Sequence, residues 1–202
     1  MDISGIILAG GKGLRLGHDK ILEKIGGKSL LEQVVFHIDS FSKNIIIVTA
    51  HERTFAPLAK HPKVKIVSDI FPGQGSLGGI YTGLVESSSF YNFVVAADMP
   101  FINESLVRYM IEKSDGYDFV LPRVNGLYEP LHAVYSKNCI APIKSIMEQG
   151  KKVIVELFNY VKVRYIETEE VERFDPKHRS FFNINTKEDL ALAREIAGGN
   201  TD

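Results

Sequence analysis

The feature that most constrains the fold is an alternation of short apolar runs with longer amphipathic stretches. The runs are Ile3–Ala9, Asn44–Ala50, Val64–Ser68, Asn92–Ala97 and Asp118–Pro122. They are rich in β-branched residues and apolar nearly throughout, which suits strands covered on both faces in a parallel sheet. The stretches between them read as helices. Ser29-Leu30-Leu31-Glu32 is a capping box, in which the serine and glutamate side chains satisfy backbone donors at a helix start. Val34, Val35 and Ile38 continue an apolar face behind it. Further helices are expected from Ser76 to Ser87, Asn103 to Lys113, Asn138 to Gln149 and Thr186 to Ala197. The last sets Leu190, Ala193 and Ala197 on one stripe. Strand alternating with helix implies an α/β domain with a mostly parallel sheet. Leu131–Tyr135 and Tyr160–Ile166 read as additional strands, of antiparallel direction.

Composition narrows the class. A chain of 202 residues, 45% hydrophobic and 24% charged, is long enough to bury a core without a disulfide or a structural metal. One domain spanning residues 1–202 is expected. The net charge of -1 argues against a nucleic-acid-binding surface. A single cysteine, Cys139, excludes an intramolecular disulfide and a cysteine-based zinc site. It reads as a small buried hydrophobe rather than a reactive thiol. The opening residues carry no basic segment, and the first apolar run stops at Ala9, short of the roughly 20 residues of a membrane span. A cytoplasmic protein with no membrane partner is expected. Asn103-Glu104-Ser105 matches a glycosylation acceptor but reads as a helix start.

In parallel α/β sheets ligands sit beyond the carboxyl ends of the strands. Those positions hold Gly10–Gly17, His51, Asp69 and Asp98. Gly10, Gly11, Gly13 and Gly17 let backbone N–H groups approach an anion closely, and Lys12, Arg15 and Lys20 add positive charge. Such a loop suits a polyphosphate, a plain basic surface loop being the alternative. It is not a P-loop, since G-x-x-x-x-G-K-[ST] is absent, and Leu16 stands where a dinucleotide fingerprint needs its third glycine. Gly73-Gln74-Gly75-Ser76-Leu77-Gly78 does match that fingerprint, with Asp98 twenty positions beyond Gly78. It supports a rival reading as a nicotinamide- or flavin-dependent oxidoreductase. Asp69–Pro72 intervene between the strand and the first glycine, which counts against the rival.

Asp98, at the end of a buried strand beside the phosphate loop, is suited to hold Mg²⁺ through an oxygen ligand. Its alternative is a turn cap before Pro100. Asp69 is similarly located, though Asp-x-x-Pro-Gly is also good turn chemistry.

The pattern Leu8-Ala9-Gly10-Gly11-x-Gly13-x-Arg15-Leu16-Gly17-x-Asp19-Lys20 closely resembles the opening motif of the molybdenum cofactor guanylyltransferases. Gly75-Ser76-Leu77-Gly78-Gly79-Ile80, Ala97-Asp98-Met99-Pro100, Glu129-Pro130-Leu131-His132-Ala133 and Phe182-Asn183-Ile184-Asn185-Thr186 follow in that family's order. The resemblance implies a Rossmann-like three-layer α/β/α domain with a mixed, mostly parallel sheet. It implies transfer of GMP from GTP to the terminal phosphate of molybdopterin, with release of pyrophosphate and Mg²⁺ as cofactor. Leu8, Ala9, Gly10 and Gly11 would contact the nucleotide, Lys20 would bind phosphate, and Arg15 would help hold the triphosphate. Asp69 would contact the nucleotide and Asp98 the metal. Asn183 and Asn185 would lie near the metal or the pterin phosphate. Arg123 and His132 are candidates for the pterin side, with ordinary loop and strand roles as the alternative. Transient contacts with other cofactor-biosynthesis or acceptor proteins are expected.

Two positions depart from the family's pattern. Leu16 replaces a methionine, and Thr49-Ala50-His51 occupies the place of an asparagine, which leaves the nucleoside contact there open. Gly10 and Met99 favour guanine over the Leu-Ala-Ala-Gly and Asp-Gln-Pro strings of the related cytidylyltransferases that act on the same pterin. A sugar-phosphate nucleotidyltransferase and a non-catalytic nucleotide-binding module are the remaining alternatives.

Overall fold

The computed structural model describes residues 2–10 and 20–199. Its main sheet follows the order β10-β7-β9-β6-β1-β4-β5. The strands are β1 (Ile3–Leu8), β4 (Asn44–Thr49), β5 (Val64–Ser68), β6 (Tyr91–Ala96), β7 (Phe119–Val124), β9 (His132–Ser136) and β10 (Val163–Glu167). A short β8 (Leu127–Tyr128) pairs with β7 alone, and β2 (Lys24–Ile25) with β3 (Lys28–Ser29) forms a separate hairpin. The helices are α1 (Leu30–Asp39), α2 (Ser76–Glu86), α3 (Glu104–Glu112), α4 (Ile140–Glu148), α5 (Thr168–Glu172) and α6 (Lys187–Ala197). No described helix is long and apolar enough to cross a membrane.

The uninterrupted apolar runs have the expected cause. Ile7, Ile45, Ile47 and Val95 face one way and pack with Val34, Val35 and Ile38 of α1 and Leu106 and Met110 of α3. Their neighbours Ile6, Ile46, Val48 and Val94 face the other way, against Leu77, Ile80 and Leu84 of α2 and Ile143 and Ile146 of α4. Successive strand side chains alternate faces, so covering both faces requires apolar residues at every position. Helix α2 lies so close to β1 that a Cβ on Gly83 would stand 2.4 Å from Ile6 Cγ2. A third cluster joins Ile25, Leu30, Ile184, Leu190 and Ala193, and so fastens α6 to the small hairpin.

Local signals set the helix starts. Ser29 and Glu32 form the reciprocal cap, with Glu32 N donating to Ser29 Oγ and Ser29 N to Glu32 Oε2. Asn103 accepts from Leu106 N at 3.0 Å, so the apparent glycosylation acceptor is a helix cap. Strand direction is a different matter. β9 runs antiparallel to β6 and to β7, as expected. β10 is parallel to β7, which corrects the antiparallel expectation for Tyr160–Ile166, and it begins only at Val163. The physical reason is that the segment through α4 and the 3₁₀ stretch Ile154–Asn159 leaves and rejoins the sheet at the same end, so β10 runs opposite to β9 and therefore in the same sense as β7. β7 also runs on through Pro122 to Val124. Its pairing with β9 ends at Val120, so the missing proline N–H breaks no bond with that strand.

Candidate active site

A cleft of about 600 Å³ opens across the carboxyl ends of β1, β4, β5 and β6. Leu8, Ala9, Gly10, Lys20, His51, Asp69, Asp98, Asn183 and Asn185 all line it. The structure thus brings together segments that are far apart in the chain. Gly11 and Arg15, with Lys12, Gly13 and Gly17, lie outside the described residues.

The floor is the end of β1. Ala9 N donates to Val48 O at 2.8 Å and Leu8 O accepts from Ala97 N at 3.1 Å, so the backbone through Ala9 is still part of the sheet. Gly10 is exposed. A Cβ there would come within 3.2 Å of Ala50 N, so a larger residue would need the neighbouring strand end to give by a few tenths of an ångström.

At one rim, Lys20 Nζ lies 2.5 Å from Asp98 Oδ2 and 2.8 Å from Asn185 Oδ1. Each partner is placed by a rigid element. Lys20 opens a 3₁₀ turn whose Ile21 is buried. Asp98 follows β6 in a turn closed by Met99 N to Ala96 O, and its carbonyl accepts from Ile184 N at 3.0 Å. That bond stitches the Asn183–Asn185 segment onto the aspartate turn. Asn185 precedes the α6 cap, where the amides of Asn185 and Thr186 both donate to Asp189 Oδ2 at 2.8 Å. The Asn185 amide first, then that of Thr186, holds the Asp189 carboxyl below its usual range. Asn183 Nδ2 donates to Phe181 O. With side-chain exposures of 13% and 17%, Lys20 and Asp98 are shielded enough for their pairing to matter.

Across the cleft, Asp69 makes the turn contacts expected of it while lining the cavity. Its Oδ1 accepts from Phe71 N at 2.9 Å, closing the turn, and from Thr82 Oγ1 at 3.0 Å, tying that turn to α2. Gly78 gives it room, since a Cβ there would lie 2.9 Å from Asp69 Oδ2. His51 also lines the cleft, and its carbonyl accepts from Thr49 Oγ1. The glycines of the dinucleotide-like string form a wall rather than a fingerprint turn. Gly73 and Gly75 have φ of +89° and +63°, and Gly75 caps α2.

Three further residues sit elsewhere than their chemistry implied. His132 is fully buried, held edge-on between the rings of Phe93 and Phe181, with both ring nitrogens unpartnered among the described residues. Burial pushes it down to about 3, so it stays neutral and is closed off from an incoming pterin. Arg123 makes a forked pair with Glu167, at 3.0 Å from Nε and 2.6 Å from a terminal nitrogen, and lies over the Tyr165 ring. Its charge is already matched within the protein. Met99 is 1% exposed, so any influence on base choice passes through packing. Cys139 is buried and its thiol is pushed up to about 12 by burial, consistent with an inert hydrophobe. Glu129 stands in the Glu129-Pro130-Leu131-His132-Ala133 string without an expected role there; two residues before the cleft-lining Leu131, it is pushed up to about 7 by burial.

Among the described residues no group of three or more His, Cys, Asp or Glu side chains is arranged to hold a metal ion. The cleft instead offers Asp98 on one side and Asp69 on the other. Asp98 alone fits Mg²⁺, which takes as few as one protein carboxylate and completes its shell with water and phosphate oxygens.

Known proteins of similar sequence and fold point to one family. The model of the family described as "MobA-like NTP transferase domain" matches residues 5–163. The chain is 38% identical over 201 residues to a probable molybdenum cofactor guanylyltransferase of Natranaerobius thermophilus, covering 98% of this chain and 97% of the relative. It is 33% identical to the molybdenum cofactor guanylyltransferase of Desulfosudis oleivorans, covering 95% and 94%. Among solved structures it is similar to molybdopterin-guanine dinucleotide biosynthesis protein A from Archaeoglobus fulgidus. There the TM-score is 0.83 at 29% identity, covering 97% of this chain and 99% of that one. A 4-diphosphocytidyl-2C-methyl-D-erythritol synthase from Anaerococcus prevotii shares the fold, with TM-score 0.74 at 19% identity over 98% and 96% of the two chains.

Proposed function

The chain belongs to the MobA-like NTP transferase family, and on that premise we propose that it transfers GMP from GTP to the terminal phosphate of molybdopterin. The full-length similarity to guanylyltransferases of the molybdenum cofactor supports this choice of substrates. We assign the reaction to the cytoplasm, with the product handed on through transient contact with acceptor proteins. The observation that carries the reading is the cluster of Lys20, Asp98 and Asn185 at the rim of a cleft whose floor is the bare Gly10 edge. An ammonium, a carboxylate and a small backbone edge are what a nucleoside triphosphate requires.

In the reaction a pterin phosphate oxygen attacks the α-phosphorus of GTP in line. The new O–P bond forms as the bond to the β-phosphate oxygen breaks, and pyrophosphate departs with its electron pair. No covalent enzyme intermediate is needed. The protein's work is orientation and charge stabilisation. Lys20 offsets charge on the phosphates, and Asn185 fixes the direction of its ammonium. Arg15 is assigned to the triphosphate on motif alone. Leu8, Ala9, Gly10 and Gly11 present backbone to the nucleotide, and Asp69 holds the nucleoside side of the cleft. Asp98 would hold Mg²⁺, which when bound supplies further neutralisation of the triphosphate. Asn183 is assigned to the neighbourhood of the attacking phosphate.

The test uses GTP labelled at the α- or γ-phosphate, with molybdopterin and Mg²⁺. The α-label should appear in the dinucleotide product and the γ-label in pyrophosphate. Label from the γ-phosphate in the pterin product would mean a different reaction.

A further inference from the structure

We infer that Lys152 is a positioning residue for nucleotide binding, acting through the Gly73–Gly75 loop that walls the cleft; this rests on the cleft being the GTP site. Lys152 Nζ donates to Gly73 O at 2.8 Å, across 79 positions of sequence. Pro72, Gly73, Gly75 and Ser76 line the cleft, so the bond reaches the wall itself.

The loop has little of its own to hold it. Gly73 and Gly75 occupy the left-handed region, and a Cβ at either would meet nothing within 4 Å. Residues without a side chain or packing neighbours have many alternative conformations open to them. Within the loop, Gln74 N donates to Phe71 O at a long 3.2 Å. The Gln74 Oε1 atom is buried without a hydrogen-bond partner among the described residues, so that oxygen gives the loop no anchor.

The base from which Lys152 reaches is firm by contrast. Lys151 pairs with Glu156 at 2.8 Å, and its N–H donates to Ile146 O at the end of α4. Ile154 and Leu157 are buried in the same cluster as Leu77 and Ile80 of α2. Lys152 therefore ties the loop to a segment packed on α4, which itself packs on the helix that the loop begins. A wall held in place before the nucleotide arrives lowers the ordering cost of binding. The ammonium need not touch the ligand.

The test compares the wild-type protein with Lys152→Met, which keeps the aliphatic stem, and Lys152→Arg, which keeps a donor. A fluorescent N-methylanthraniloyl GTP with Mg²⁺ reads binding without the acceptor, and steady-state turnover reads GTP and acceptor separately. Lys152→Met should raise both the dissociation constant and the GTP KM by about three- to tenfold, a modest loss in keeping with one exposed charged hydrogen bond. The turnover number, the acceptor KM and the nucleotide-free melting temperature should stay at wild-type values, and Lys152→Arg should recover most of the affinity. Equal binding by wild type and Lys152→Met overturns the inference, as does a Lys152→Arg variant as weak as Lys152→Met. Failure of the wild-type protein to bind the GTP analogue would instead overturn the functional reading.

Discussion

Lys20 and Asp98, 78 positions apart, meet in a 2.5 Å ion pair that Asn185 completes from the far end of the chain. The pair joins the start of the 3₁₀ turn Lys20–Leu22 to the end of β6, at the mouth of the cleft. Asp98→Ala should lower turnover by about a thousandfold or more, and Lys20→Met by about a hundred- to a thousandfold, as expected when one preorganised charge is removed from a phosphoryl-transfer site. Each single substitution leaves one partly shielded charge unpaired and should cost about 1–3 kcal/mol of stability. The double variant should cost less than the sum. Pyrophosphate release and urea unfolding measure the two effects. Near-wild-type turnover in Asp98→Ala would remove Asp98 from the site.

The link between Asp69 and α2 yields a second prediction. Thr82 Oγ1 lies 3.0 Å from Asp69 Oδ1 and accepts from Ile70 N at 3.1 Å. Thr82→Val keeps the shape and deletes both contacts, together with the one that the same hydroxyl makes to Gly78 O at 2.9 Å. It should cost about 1–3 kcal/mol, because the Ile70 N–H loses its partner and the Asp69 carboxylate loses one of two. The GTP KM should rise several-fold through the loosened Asp69. A melting temperature that falls with GTP binding unchanged would confine Asp69 to holding the turn.

Buried His132 and half-buried Glu129 set opposing pH dependences. Glu129 has a folded value of about 7 against an ordinary 4.5. The folded state binds the extra proton between those values, so its contribution to stability falls as pH rises through that window. His132 has a folded value of about 3 against 6.5. There the unfolded state binds the extra proton, so stability rises as pH rises from 3 to 6.5. Between pH 4.5 and 6.5 the two slopes oppose each other, each at most about 1.4 kcal/mol per pH unit. His132→Phe should leave a falling slope and Glu129→Gln a rising one, and Glu129→Gln should exceed the parent's stability at pH 8. Urea midpoints across this range decide the matter; identical slopes in all three proteins would contradict it.

Nucleotide binding alone gives a fourth prediction. With Mg²⁺, GTP should raise the melting temperature more than CTP does, because stabilisation follows affinity for the folded state. A larger shift with CTP would favour the cytidine alternative.

The features legible in the sequence were those set by neighbours in the chain. Ser29 with Glu32, Asn103 with Leu106, and Thr186 with Asp189 are bonds over three positions, and the helix starts follow from them. Ile6 and Ile7 point to opposite core clusters, as a two-sided strand demands. The direction of β10 was not legible, because it depends on a pairing between Val163–Glu167 and Phe119–Arg123 that nothing local specifies. The site divides in the same way. Gly10, Asp69 and Asp98 stand at strand ends and were readable there. Arg123 and His132 look like anion contacts by residue type, yet the fork with Glu167 and the enclosure by Phe93 and Phe181 are made by distant segments. Lys152 carries no motif, and only the folded chain sets it beside the cleft wall; Glu129 stands in a family-like string, but its burial is set by the folded chain.

The central claim is tested most directly by turnover of the wild-type protein with molybdopterin and each of the four nucleoside triphosphates. Pyrophosphate release and the mass of the pterin product are both read. The account predicts a guanine dinucleotide formed from GTP, lost on chelation with EDTA and restored by Mg²⁺. Faster turnover with CTP, or product formation undiminished by EDTA, would contradict it.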